Sequence, residues 1–217
     1  PRGGNMAAEQ VDWTFYLVTD RRWLGGRTLW DSVDAAIRGG ATVVQLREKE
    51  IPSRDYLDLA RRVKTVTDQA GVPLIINDRL DIALAVDADG VHVGPEDLPV
   101  ATVRRLMGPS RIVGASACTL EEALRFQDEG ADYLGVGAIF PTATKGGTES
   151  VSLEELRQIK AAVRIPVVAI GGITADNAPA VMETGVDGVA VVSAVMAQPD
   201  IGNAALRLSA LLKGGRR

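Results

Sequence analysis

The chain has 217 residues, 46% of them hydrophobic and 24% charged, with a formal net charge of -4. That composition suits one domain with a large core and excludes a general nucleic-acid binder, which carries a basic excess. A single cysteine, Cys118, excludes an internal disulfide and a cysteine-built metal centre. No apolar run reaches the roughly 18 residues of a membrane span. The opening PRGGNMAAEQ lacks the apolar segment of a secretion signal. A cytoplasmic location is therefore expected.

Eight strand candidates follow one another. They are TFYLVTD (14–20), TVVQLRE (42–48), PLIIND (73–78), GVHVG (90–94), RIVGASA (111–117), YLGVGAIF (133–140), PVVAIGG (166–172) and GVAVVSA (188–194). Most are nearly continuous apolar runs, as expected of parallel strands covered on both faces. Helical patterns separate them. SRDYLDLARRVKTVTDQAG places Tyr56, Leu59, Ala60, Val63 and Val66 on one face and stops at Gly71. Thr119 with Glu122, and Ser152 with Glu155, have the spacing of capping boxes. The pattern reads as an α/β protein, a single-domain (β/α)8 TIM barrel over residues 13–213. An N-terminal extension (1–12) precedes it and a frayed tail (214–217) follows; an open doubly wound sheet is the alternative.

In such a barrel the chemistry lies at the C-terminal ends of the strands, so the polar residues there carry the functional reading. The second strand ends in Gln45, Arg47 and Lys49, which share a face because strand side chains alternate. An amide, a guanidinium and an ammonium in a row form a ladder for an anion. The third strand ends in Asn77 and Asp78, an ordinary turn and capping pair when taken alone. The next loop adds Glu96 and Asp97, and carboxylates on neighbouring loops can share Mg2+ with phosphate oxygens. Ser116 ends the fifth strand as a hydroxyl donor; it is not read as a nucleophile, because no neighbouring histidine is evident to activate it. Beyond the sixth strand, Thr142, Thr144 and Lys145 with Gly146 and Gly147 suit a lid that delivers Lys145 to an anion. Gly171, Gly172 and Ser193 after the last two strands suit a phosphomonoester. His92, the only histidine, is read as a packed structural residue, and Cys118 as a small rim residue.

Two anion sites across one barrel mouth imply a reaction in which diphosphate leaves. QLREK, IINDR, DGVHVGPEDLP, GASA, GVGAIFPTATK, VAIGGI and GVAVVSAV, in this order from about residue 14 to residue 200, resemble the signature of the thiamine-phosphate synthase family. The resemblance implies a barrel transferase using Mg2+. It would join 4-amino-2-methyl-5-(diphosphooxymethyl)pyrimidine to a thiazole phosphate, or its carboxylated form, giving thiamine phosphate and diphosphate by dissociative loss of diphosphate. By motif position, Gln45, Arg47, Lys49, Asn77, Ser116 and Lys145 would meet the pyrimidine diphosphate. Arg47, Lys49, Ser116 and Lys145 would be the catalytic members. Leu46 and Glu48 lie within the same substrate-binding stretch. Thr142, Ala143, Thr144, Gly172, Val192 and Ser193 would surround the thiazole phosphate, and Asp78 and Asp97 would hold Mg2+; Glu96 is not a ligand in the family pattern. Pro95, Cys118 and Ala138 stand where the family more often has Gln, His and Pro. The alternatives are a thiazole tautomerase of the same fold and a non-catalytic phosphate-binding barrel. Neither nucleic acid nor membrane is an expected partner, and a homo-oligomer is compatible with the sequence.

Overall fold

The computed structural model describes residues 7–141 and 150–214. Each apolar run forms a parallel strand: β1 (Phe15–Val18), β2 (Val43–Leu46), β3 (Leu74–Asn77), β4 (Gly90–Val93), β5 (Ile112–Ala117), β6 (Tyr133–Val136), β7 (Val167–Ile170) and β8 (Gly188–Val191). Each pairs with its sequence neighbour and β8 returns to β1, so the sheet is a closed barrel. The expected (β/α)8 architecture is the observed one.

The strands are shorter than the apolar runs, and the surplus residues have other partners. Beyond β1 and β2, Thr19 N–H donates to Gln45 O and Arg47 N–H to the Thr19 hydroxyl. Beyond β6, Ile139 and Phe140 cross to the end of β7 and donate to Ile170 O and Gly171 O at 3.0 and 3.1 Å.

Period-two alternation divides the core into two layers. Val43 of β2 joins Trp13, Tyr16, Ile75, Ile112, Tyr133 and Val168 inside the barrel. Val44 and Leu46 join the larger layer between strands and helices. That outer layer explains the helices. Among the described residues they are α1 (Leu29–Arg38), α2 (Ser53–Ala70), α3 (Leu80–Ala85), α4 (Val100–Met107), α5 (Leu120–Asp128), α6 (Leu153–Ala162), α7 (Ala178–Met182), α8 (Ser193–Met196) and α9 (Ile201–Gly214). Helix α2 buries Tyr56, Ala60, Val63 and Thr67 and ends at Gly71 in a left-handed conformation. The Ser152–Glu155 capping box is complete. At Thr119 the hydroxyl accepts from Glu122 N–H as expected, but the Glu122 carboxylate takes the N–H and thiol of Cys118, at 2.8 and 3.2 Å. That contact brings Glu122 to the barrel mouth.

At the opposite rim one device recurs four times. The residue just before each even-numbered strand accepts the N–H of the first or second residue of the odd strand before it. Thr42 takes Phe15 N–H at 3.0 Å, Asp89 takes Leu74 at 2.9 Å, and Asp132 and Asp187 take Val113 and Val167 at 2.8 Å each. Three of the four, Thr42, Asp132 and Asp187, return a backbone N–H to the same partner's carbonyl. Arg104 and Lys160 neutralise Asp132 and Asp187. Asp89 is buried at 7% exposure, so Asp89→Ala leaves a strand N–H without that acceptor inside the protein. The expected loss is about 1–3 kcal/mol of unfolding free energy, read by equilibrium chemical denaturation; a change near zero would mean this contact does not hold the β3–β4 seam.

Candidate active site

Above the inner core the barrel opens into a cavity of about 270 Å³. Its wall receives side chains from every strand end, because each parallel strand delivers its C-terminal residue to the same rim. Gln45, Arg47 and Lys49 all line it, as alternation along β2 requires. Leu46 and Glu48 alternate to the other side. Leu46 is fully buried in the outer core, where its carbonyl accepts from the Tyr56 hydroxyl at 3.0 Å. Glu48 is 2.7 Å from Arg21, an ionic contact behind the strand. Neither side chain faces the cavity.

Asn77, Ser116, Gly172, Val192 and Ser193 line the cavity, together with Asp78 and Asp97. Thr142, Ala143, Thr144 and Lys145 lie outside the described residues. Asn77 is buried, and its amide nitrogen has no hydrogen-bond partner among the described residues. A buried donor left unmade is costly, and here it borders a cavity in which a ligand acceptor could satisfy it.

The carboxylates of β3 and β4 form a charged corner. Asp78 sits at φ 62°, a left-handed conformation that Asp tolerates better than most residues with a side chain. Its N–H donates to His92 O at 2.8 Å. Lys49 pairs with its carboxylate. Asp97 accepts from Gly94 N–H at 2.7 Å and lines the same part of the cavity as Asp78. Burial works against ionisation at Asp78, but the hydrogen bonds from Asp97 and Lys49 and the Lys49 charge outweigh it and hold this carboxyl below its ordinary range. Burial and Asp78 push Asp97 the other way, upward. The corner is thus acidic, and the Lys49 ammonium lies against it. Glu96 lines the cavity beside them.

Across the mouth, β7 is followed by Gly171 and Gly172, at φ 108° and 60°. A Cβ at Gly171 would come within 2.7 Å of Ala138, and one at Gly172 within 2.7 Å of Pro141 O. These glycines therefore let the chain after β6 lie directly on the end of β7, in addition to leaving backbone open at the rim. Ser193 begins α8, and Val192 immediately precedes it. Arg27 fixes that short helix from outside, donating to Met196 O, Gln198 O and Pro199 O at 3.2, 2.8 and 3.1 Å.

Barrel closure corrects one expectation. Ser116 does have a histidine neighbour: His92 Nε2 lies 2.8 Å from its Oγ, because β4 and β5 are adjacent and His92 aligns with Gly114, two residues before Ser116. His92 is well packed, as read, but it also lines the cavity. Its Nδ1 is 2.8 Å from the Tyr133 hydroxyl, which is 2.6 Å from that of Tyr16; Gln45 Nε2 reaches Tyr16 at 2.8 Å. The two tyrosines and Glu122 were not among the sequence candidates. Pro95, Cys118 and Ala138, the departures from the family pattern, also line the cavity.

A profile of the family described as thiamine monophosphate synthase matches residues 15–195. The thiamine-phosphate synthase of Alkaliphilus oremlandii is 54% identical over 203 residues, covering 94% of this chain and 97% of that protein. That of Clostridium tetani is 50% identical over 204 residues, covering 94% and 98%. Among solved structures, thiamine phosphate pyrophosphorylase from Pyrococcus furiosus is similar at TM-score 0.88 and 43% identity, covering 95% of this chain and 98% of that one.

The Asp78–Asp97 pair makes stability depend on pH in a definite direction. Asp97 is shifted up from 3.8, so the folded state holds its proton more tightly than the unfolded state. Its contribution is therefore favourable at low pH and is lost as pH rises through the raised value. Asp78, shifted down, contributes in the opposite sense, with stability present above 3.8 and lost on acidification. Asp97→Asn keeps an acceptor for Gly94 and a donor for Asp78 while removing the like charge. The variant is expected to melt above the parent at pH 7, with the difference shrinking as pH falls toward 4. Melting curves at the two pH values decide this, and a variant no more stable at pH 7 would contradict the repulsion.

Proposed function

The chain belongs to the thiamine monophosphate synthase family, and we propose that it catalyses transfer of the (4-amino-2-methylpyrimidin-5-yl)methyl group from its diphosphate to the nitrogen of a thiazole phosphate. The observation that carries this reading is the division of the cavity rim. Arg47, Lys49 and the Asp78–Asp97 corner stand on the β2–β4 side, and Gly172, Val192 and Ser193 on the β7–β8 side. One side suits a diphosphate and the other a monophosphate.

In the first step the bond between the pyrimidine CH2 carbon and the diphosphate oxygen breaks, and its electron pair leaves with diphosphate. The thiazole nitrogen then donates its lone pair to the CH2 carbon to form the C–N bond. Arg47 and Lys49 neutralise charge gathering on the leaving oxygens. Asn77 offers its unmade N–H, and Ser116 a hydroxyl, to the same group. The apolar walls from Val18, Val168 and Ile170 keep water from the cationic carbon. Gly172, Val192 and Ser193 hold the thiazole phosphate so that its nitrogen is aimed along the breaking bond. Lys145 and the Thr142–Thr144 segment belong to the same assignment by family pattern.

Mg2+ fits the donor set. Among the described residues no cluster of three or more His, Cys, Asp or Glu side chains could hold a metal alone, but Asp78 and Asp97 both line the same part of the cavity rim, with Lys49 against Asp78. Two carboxylates completed by water and phosphate oxygens are the usual Mg2+ environment. Bound there, Mg2+ supplies electrophilic stabilisation of the departing diphosphate.

The test is diphosphate release by purified protein given both substrates, each alone, or both with chelator. Release is expected only with both substrates and Mg2+. Arg47→Ala should lower turnover about 100-fold or more, the size of losing a preorganised charge-stabilising donor, without altering the folded circular dichroism spectrum. Chelator-resistant release, or an active Arg47→Ala enzyme, would refute the assignment.

A further inference from the structure

The cavity floor holds a polar chain that ends at Ser116 and whose other members no step above uses. It runs Gln45–Tyr16–Tyr133–His92–Ser116, through five different strands, with consecutive separations of 2.8, 2.6, 2.8 and 2.8 Å. Tyr16 and Tyr133 are 2% and 1% exposed. Burial holds both phenols well above their usual ionisation range. Each therefore keeps one proton and donates one hydrogen bond.

These constraints order the chain. Gln45 Nε2 can only donate, so Tyr16 receives a proton on its oxygen. Tyr16 is shut away from solvent, and its own proton goes to Tyr133. Tyr133 in turn directs its proton to His92 Nδ1. A neutral imidazole with Nδ1 accepting carries its hydrogen on Nε2, and that hydrogen points at Ser116 Oγ. The serine oxygen is thus an acceptor toward His92, and its proton is directed elsewhere, into the cavity.

We propose that Tyr16, Tyr133 and His92 are positioning residues that lock His92 as its Nε2–H tautomer and make Ser116 an obligatory hydrogen-bond donor to the substrate's anionic oxygens. No proton travels along the chain; the chain fixes a direction. The same arrangement keeps His92 from acting as a base toward Ser116, so the Ser–His contact is not a nucleophilic pair of the hydrolase kind. The effect on turnover rests on the synthase reading, whereas the tautomer does not.

His92 is the only histidine in the chain, so ring nitrogens in 15N-labelled protein are assigned without ambiguity. At pH about 8, above the ordinary imidazole range, long-range 1H–15N correlation is expected to show Nε2 protonated and Nδ1 bare. A protonated Nδ1 would overturn the proposal. Tyr133→Phe removes the donor to Nδ1 with little change of shape. It is expected to give a mixture of tautomers and to lower kcat about fivefold, the scale of one neutral hydrogen bond, with the KM for thiazole phosphate unchanged. An unchanged tautomer in that variant would also overturn it. Ser116→Ala should lower kcat while leaving the tautomer as in the parent; a shifted tautomer would mean that Ser116, not the tyrosines, sets it. A bare Nδ1 in a protein that never releases diphosphate would separate failure of the synthase reading from failure of this one.

Discussion

A ring of eight parallel strands, each only four to six residues long, can send two or three side chains per strand inward, and those few positions must supply both a core and a site. The division is by height. Trp13, Val43, Ile112 and their neighbours fill the lower barrel as apolar packing, and Gln45, Asn77, His92 and Ser116 occupy the next inward positions above them. Tyr16 and Tyr133 belong to both sets, since their rings pack with Trp13 while their hydroxyls face the polar side. A tyrosine is suited to that boundary because its body is apolar and only its tip is polar. The cavity exists because the upper layer is built of residues too small or too polar to close it.

The fold was legible because parallel strands covered on both faces leave long apolar runs, and because Gly-rich turns mark the helix-to-strand returns. Much of the site was legible for a related reason: a polar residue that follows such a run has few structural uses, and Gln45, Arg47, Asn77, Asp78 and Ser116 all stand there. What escaped were contacts created by closure. Tyr133 and His92 are 41 residues apart, and Tyr16 and Tyr133 are 117 apart. In sequence each tyrosine looks like a core aromatic, and no local signal tells which phenols meet. The His92–Ser116 contact was accessible in principle, since consecutive strands of a parallel barrel are neighbours. Finding it required the offset between β4 and β5. Leu46 and Glu48 show the converse: they lie inside a motif, yet simple alternation turns their side chains away from the mouth.

The acidic corner illustrates the usual tension between stability and chemistry. Asp78 occupies an uncommon backbone region and faces a second carboxylate, and neither feature favours folding. Lys49 and the Gly94 N–H moderate the conflict locally. The residual repulsion between the two carboxylates stays at the cavity rim, so a local weakness of the fold coincides with an acidic part of the candidate site.

The four bridges at the closed end of the barrel act on the chemistry from the far side of the molecule. A flat sheet can absorb a slipped strand at its free edge, but a closed ring has none, and the offsets between neighbours must sum to one fixed value around the circuit. Thr42, Asp89, Asp132 and Asp187 each clamp one of these offsets, at every second seam. A slip of one residue at any seam would turn a strand's side chains inside out, carrying Gln45 or His92 into the helix layer and an apolar neighbour into the cavity. The clamps thus work as a phase lock: residues that never approach the substrate determine which side chains do.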